Sequence, residues 1–223
     1  MRTKTERKRG NLNLLIRVIL LAALTLGAIP KSEVNAAAKK PLVISFVHRD
    51  NIGSTSNMDL DAISSATVYS GSTGEKQSTI EVIRDTIRTQ KKAKSFAVKV
   101  KKPYSRDYEA TINRADKEID KNTKVKLKKS RIPNLKKYDT IYLCTPVWHG
   151  TLPQPVRMLL KSNNFKGKTI YVFGANLGSG YGDMISAIKE LCPKAKVVKA
   201  KTFQGDASNK SVRKSVKNWL KKH

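Results

Sequence analysis

The feature that most constrains this chain is the spacing of its short apolar runs. Pro41–Val47, Thr140–Cys144 and Thr169–Gly174 are rich in β-branched and aromatic residues and too short to be buried helices. Helix-length segments separate them. Ser78 to about Lys91 carries Ile80, Ile83 and Ile87 on one face, and Ser78-Thr79-Ile80-Glu81 has capping-box spacing. Phe96–Val100 alternates as a second, edge strand, and Tyr108–Asp120 reads as a mixed-charge helix. Pro153–Lys161 is a short helix with proline near its first turn, and Gly182–Leu191 is a helix stopped by Pro193. Ala195–Ala200 is a fifth strand. The last helix puts Val212, Val216, Trp219 and Leu220 at i, i+4, i+7 and i+8, so Trp219 reads as core. Strands joined through helices require a parallel sheet covered on both faces. The expected fold is α/β: a doubly wound five-stranded parallel sheet of order 2-1-3-4-5.

In such a sheet ligands bind outside the carboxyl ends of the strands, at the switch point. The loop after the third strand is Thr145-Pro146-Val147-Trp148-His149-Gly150-Thr151-Leu152-Pro153. The loop after the fourth is Ala175-Asn176-Leu177-Gly178-Ser179-Gly180-Tyr181-Gly182. An aromatic ring among turn residues, opposite a glycine-rich loop, suits a flat heterocycle held between a side chain and close-approaching backbone. After the first strand come His48 and Arg49, then a polar stretch running to Gln77, with nine Ser or Thr between residues 48 and 77. A loop of that length in a compact domain is usually functional or mobile.

These segments resemble the flavodoxin-like family, specifically its short FMN-type members. Tyr138–Leu143 followed by Thr145–Pro153 looks like the family's third strand and flavin-flanking loop. Phe165–Ile170 followed by Gly178–Gly182 looks like its fourth strand and second flavin loop. Pro103-Tyr104, Asp107-Tyr108 and Arg114-Ala115 with Glu118 recur in the same pattern, and residues 61–66 look like an insertion seen in some members. The resemblance covers nearly all of residues 41–222 and is strongest between Tyr138 and Cys192.

The resemblance implies noncovalent FMN. Thr145, Pro146 and Val147 would lead into the site and Trp148 would pack on the isoalloxazine, with the backbone of His149, Gly150 and Thr151 near its edge. Asn176, Gly178, Ser179, Gly180, Tyr181 and Gly182 would line the other side. The phosphate would sit where the helix begins near Ser78, because exposed N–H groups and the dipole favour an anion there. One departure stands out. The family's compact phosphate loop joins the first strand directly to its helix, whereas here His48 and Arg49 follow the strand and Gln77-Ser78-Thr79 arrives thirty residues later. Ser78 and Thr79 still offer hydroxyls, and Arg49 can pair with a dianion. The plain reading of Ser78 is a helix cap that needs no ligand.

Residues 1–36 read as a signal peptide. Arg2, Lys4, Arg7, Lys8 and Arg9 form a basic segment that Arg17 extends; Val18–Ile29 is apolar, and Val34-Asn35-Ala36 has cleavage-site character. An uncleaved anchor from Leu12 is the other reading. The expected domains are therefore 1–36 and 37–223, the second carrying the loop insertion 48–77. The chain has 45 Lys+Arg against 17 Asp+Glu, a net charge of +28, and loss of residues 1–36 would leave +23. That surface argues against an ordinary acidic cytosolic electron carrier and for association with polyanions, either anionic cell-wall polymer or a membrane surface. Export, and the lack of a basic patch interleaved with aromatics, argue against nucleic acid.

Two cysteines, Cys144 and Cys192, exclude a disulfide framework and a cysteine-only zinc site, and they lack redox-motif spacing. Asp59 and Asp61 have no visible third ligand, so no metal site is expected. His149 alone is weak evidence for acid–base catalysis. The leading expectation is an exported FMN protein that carries electrons, or reduces quinone-like acceptors, at the cell surface. The alternative is a flavodoxin-like scaffold without FMN that binds anionic wall or membrane polymers.

Overall fold

Leu42 to His48 are all buried, and a run buried on both faces belongs in the middle of a sheet. The computed structural model describes residues 39–53, 77–105, 107–205 and 207–223. The segment read as a signal, Asp59, Asp61 and most of the 48–77 insertion lie outside the described residues. Strand β1 (Leu42–Ser45) pairs in parallel with β2 (Lys94–Ala97) on one side and β3 (Thr140–Pro146) on the other. Beyond β3 come β4 (Thr169–Asn176) and β5 (Lys196–Gln204). The order is β2-β1-β3-β4-β5, all parallel, which is the expected doubly wound sheet.

Alternation along the strands sends side chains to two cores. On one face Leu42, Ile44, Phe46, Ile141, Leu143, Ile170 and Val172 meet α2 (Tyr108–Asp120), α3 (Gln154–Lys161) and α4 (Met184–Leu191). On the other, Val43, Val47, Tyr142, Cys144, Phe173 and Ala175 meet α1 (Thr79–Gln90) and α5 (Asn209–Leu220). Trp219 packs edge-on against Tyr171 and Phe173, both with centroids 5.1 Å away. Cys144 and Cys192 are free, buried, and on opposite faces of the sheet. Burial pushes the Cys144 thiol upward and the Cys192 thiol up to about 11, so neither is a reactive thiolate at neutral pH.

Several boundaries differ from the sequence expectation, those of β2, β5 and α4 most. β2 begins at Lys94 and ends at Ala97 because its register on β1 runs Leu42↔Lys94 to Ser45↔Ala97. The alternation continues past the ladder, with Val98 and Val100 buried and Val100 bridged antiparallel to Leu127. β5 extends to Gln204 along the full length of β4, accommodated by an irregularity between Val172 and Phe173. Helix α4 starts at Met184, two residues after Gly182, whose φ of +46° lies outside the helical region. Among the described residues no helix is long and apolar enough to cross a membrane, and no group of three or more His, Cys, Asp or Glu is placed to hold a metal ion.

Candidate functional site

Strands β3 and β4 end side by side, with Pro146 opposite Ala175, and their loops are built on each other. Thr145 and Pro146 are buried at the end of β3, and the Val147 N–H donates to Ala175 O at 2.8 Å. Trp148 and Thr151 exchange backbone hydrogen bonds of 3.0 and 2.8 Å around His149 and Gly150, with φ of +47° and +70°. Two successive positive φ values mark a type I′-like turn. Arg157 on α3 fixes this turn, donating to Leu152 O at 3.0 Å and to Thr151 Oγ1 at 2.7 Å. The turn then meets the second loop, where the Asp183 N–H donates to Gly150 O at 2.8 Å. A Cβ on Gly182 would collide with that same carbonyl, so the approach of the two loops requires glycine there.

Buried Asn176 shapes the second loop. Its Oδ1 accepts the N–H groups of Gly178 at 2.8 Å and Gly180 at 3.0 Å, and its Nδ2 donates to Phe203 O on β5 at 3.1 Å. The loop therefore holds Gly178, Ser179 and Leu177 out from the protein, all exposed. Leu177 is the exposed large hydrophobic residue among those described, at 52 %. No atom lies within 4 Å of where a side chain on Gly150, Gly178 or Gly180 would begin. Tyr181 is half-buried and folds back, its OH donating to Val172 O at 3.1 Å, and burial raises its phenol well above the usual range.

Trp148 lies inward. It is 5 % exposed and packs edge-on against Phe46 and Tyr104, both at 5.2 Å, and against His48 at 5.7 Å. Among the described residues its Nε1 has no acceptor. Burial lowers the His48 imidazole to about 4, so it is neutral at physiological pH. Tyr104 continues outward: its OH donates to Glu118 at 2.5 Å, Glu118 accepts from Arg114 Nε at 2.7 Å, and the Arg114 guanidinium lies 4.0 Å over the Tyr104 ring. Burial, then the Glu118 hydrogen bond, raises the Tyr104 phenol far above its ordinary value. The recurring Tyr104, Arg114 and Glu118 thus form one network beneath the site. His149 is exposed, with Nδ1 3.4 Å from Asp116.

Beyond β1 the chain makes a 3-10 turn over Arg49–Asn51. Buried Asn51 donates to Val47 O at 2.8 Å and Val98 O at 3.0 Å, and accepts from the Val100 N–H at 2.7 Å. Helix α1 opens on the expected capping box: Ser78 Oγ accepts the Glu81 N–H at 3.4 Å, and the Glu81 carboxylate accepts the Ser78 N–H at 2.8 Å. The other Glu81 oxygen pairs with Arg49 at 2.6 Å. A carboxylate of this chain therefore stands at the helix start where an anion was expected. The N–H groups of Thr79 and Ile80 have no acceptor among the described residues. Gln77 faces sideways, donating to Asp85 at 3.2 Å and accepting from Asn209 at 3.1 Å.

The structure brings Trp148–Thr151 and Asn176–Gly182 together, and Arg49, Ser78 and Thr79 gather separately around Glu81. Sequence reading passed over Glu81 as more than a cap, along with Leu177, Asn51 and Arg157. Only Glu81 carried a signal, the capping box itself.

A flavodoxin family model matches residues 67–223. No curated protein matches the sequence. Among solved structures, a protein described as a flavoprotein from Bacteroides eggerthii is 17 % identical with a TM-score of 0.58, covering 82 % of this chain and 96 % of its own. A Bacteroides uniformis protein described likewise gives 18 %, 0.57, 82 % and 97 %. A Lactobacillus acidophilus flavoprotein in complex with FMN gives 18 %, 0.51, 82 % and 99 %.

Proposed function

The chain belongs to the flavodoxin family, and from that premise we propose that it binds FMN noncovalently beyond the carboxyl ends of β1, β3 and β4 and serves in electron transfer. The observation that carries this reading is the contact between the two loops at Gly150 and Asp183, which leaves the open backbone of Gly150, Gly178 and Gly180 and the apolar Leu177 side chain at one edge of the sheet. Those residues fit the ring of a flavin: apolar surface for its face and unobstructed backbone for its polar edge. The unpartnered Trp148 Nε1 is a further donor at that end of the sheet. At the phosphate side, the chain offers the N–H groups of Thr79 and Ile80, which have no acceptor among the described residues, and the guanidinium of Arg49.

FMN, when bound, supplies the electron-transfer chemistry, and the protein's part is to hold and orient it. Asn176 and Arg157 set the two loops, and neither needs to touch the cofactor to do so. The composition of residues 1–36 supports export, with the activity at the cell surface.

The test is an FMN titration of the full-length chain, following flavin fluorescence. Saturable quenching at micromolar or tighter affinity is expected. Absence of saturation in a folded sample overturns the reading. It would instead favour the cofactor-free scaffold, for which the specific support is Glu81 standing at the helix start.

A further inference from the structure

We propose that helix α5 carries a docking groove for a linear phosphodiester polymer whose charges are separated by short carbon linkers. The inference rests on α5 and does not depend on flavin binding.

A groove of about 660 Å³ runs along α5 and past the start of α1, lined by Gln77, Asn209, Lys210, Arg213, Lys214, Lys217, Asn218 and Lys221. Five of these are cations and none is acidic. Val212, Val216, Trp219 and Leu220 point into the core, which leaves the cations as one continuous stripe on the opposite face. Lys210, Lys214, Lys217 and Lys221 are exposed and Arg213 is half-buried.

None of the five forms an ion pair among the described residues. The carboxylates that pair with Lys or Arg among the described residues do so elsewhere: Asp139 with Lys39, Glu81 with Arg49, Asp50 and Asp85 with Arg84, and Glu118 with Arg114. Spacings of three and four residues between like charges destabilise a helix, and Lys210 in the first turn also opposes the macrodipole. An anionic occupant removes both costs.

Shape and repeat select among anions. The four exposed lysines, Lys210, Lys214, Lys217 and Lys221, span about 16 Å at the helical rise, roughly one per 5.4 Å turn, with Arg213 at the side of the row. That repeat suits phosphates joined through a few carbons better than the directly joined phosphates of inorganic polyphosphate. The lining residues follow α5 from Asn209 to Lys221, so a linear chain can meet the cations in series. No aromatic ring lines it, so unpaired bases find no stacking platform.

The experiment measures binding of the full-length chain to poly(glycerol phosphate), inorganic polyphosphate, single-stranded DNA and phosphatidylglycerol vesicles at matched phosphate concentration. Poly(glycerol phosphate) is expected to bind most tightly, with affinity falling as salt is added. Replacing Lys210, Arg213, Lys214, Lys217 and Lys221 by Gln should weaken it by at least about tenfold. A charge-matched control, with Lys94, Lys99, Lys124, Lys128 and Lys129 replaced by Gln, should stay within about threefold of wild type. The double variant Lys214→Gln/Lys217→Gln, altering only exposed positions, should fall between. Equal losses in the α5 and control variants overturn the proposal, as does tighter binding of any other probe than of poly(glycerol phosphate).

Discussion

Beyond β3 and β4 the backbone is positioned by hydrogen bonds to neutral acceptors: the Asn176 amide on Gly178, Gly180 and Phe203, Arg157 on Leu152 O and Thr151 Oγ1, and the Gly150 carbonyl on Asp183. Beyond β1 it is positioned by the Arg49–Glu81 ion pair at the start of α1, together with the Asn51 amide. The neutral half responds to geometry, so its defects arise from lost hydrogen bonds and lost packing. The charged half responds to protonation and to any anion that competes with Glu81. Trp148 joins the two, since it leaves β3 and packs on Phe46 and His48 from the β1 side.

The largest expected effect comes from breaking that joint. Trp148→Ala removes a nearly buried indole that meets three rings edge-on and should cost about 4 kcal/mol of stability, read as a lower urea midpoint. A loss below about 1 kcal/mol would show that the two halves are not coupled through this ring. Flavin binding by this variant reports on folding first, so it is a poor probe of ring stacking.

Acid should act next, and on the β1 side. The His48 imidazole falls from 6.5 to about 4 on folding, because burial penalises its charged form. Below pH 6.5 the unfolded chain takes up a proton that the folded chain refuses, so stability is full above 6.5, declines between 6.5 and 4, and levels off below 4. The decline is about 3 kcal/mol for a shift of this size. Among the described residues the rings packed on the imidazole are Tyr104 and Trp148, and Glu118, the carboxylate of that network, is held by Tyr104 and Arg114. Carboxylates titrate in the same window, so the signature is the difference between wild type and His48→Phe. Parallel stability curves across that window would rule the effect out.

Much of the neutral half was legible in the sequence, and the reason is local. The apolar runs at Thr140 and Thr169 are buried on both faces, so burial and strand propensity point the same way there. Glycines at 178, 180 and 182 announce a backbone-dominated loop. What local pattern does not encode is separation. Arg49 and Glu81 lie 32 residues apart, and Asn51 reaches Val98 and Val100 across 47 and 49. The inward packing of Trp148 is not local either, because its three partners are Phe46 and His48, just beyond β1, and Tyr104, none of them near it in sequence. Leu177 went unremarked for the opposite reason: an apolar residue in a loop is ordinary until the Asn176 hydrogen bonds hold it outward.

Within the neutral half, Asn176→Ala removes one acceptor shared by two N–H groups and one donor, a cost of about 2 kcal/mol. FMN affinity should fall as the loop loses its shape. Asn176→Asp retains the acceptor and loses the donor, so it should recover part of that affinity. If both variants bind FMN like wild type, the loop does not contact the cofactor.

The smallest expected effect is the one that tests the charged half most directly. Glu81→Gln keeps the capping geometry, because a Gln oxygen can still accept the Ser78 N–H, while removing a negative charge from the helix start and its ion pair with Arg49. Arg49 is partly exposed at 27 %, so it rehydrates, and the stability change should stay within about 1 kcal/mol. A phosphate dianion then meets the helix N–H groups and the Arg49 guanidinium without the repulsion of a carboxylate. FMN affinity should rise by about tenfold, equivalent to about 1.4 kcal/mol, measured by titration at low salt and shrinking as salt is added. Riboflavin, which lacks the phosphate, should bind the variant and wild type equally. A gain shared by riboflavin would move the effect from the phosphate to the ring, and no gain with either ligand would place the phosphate away from α1 altogether.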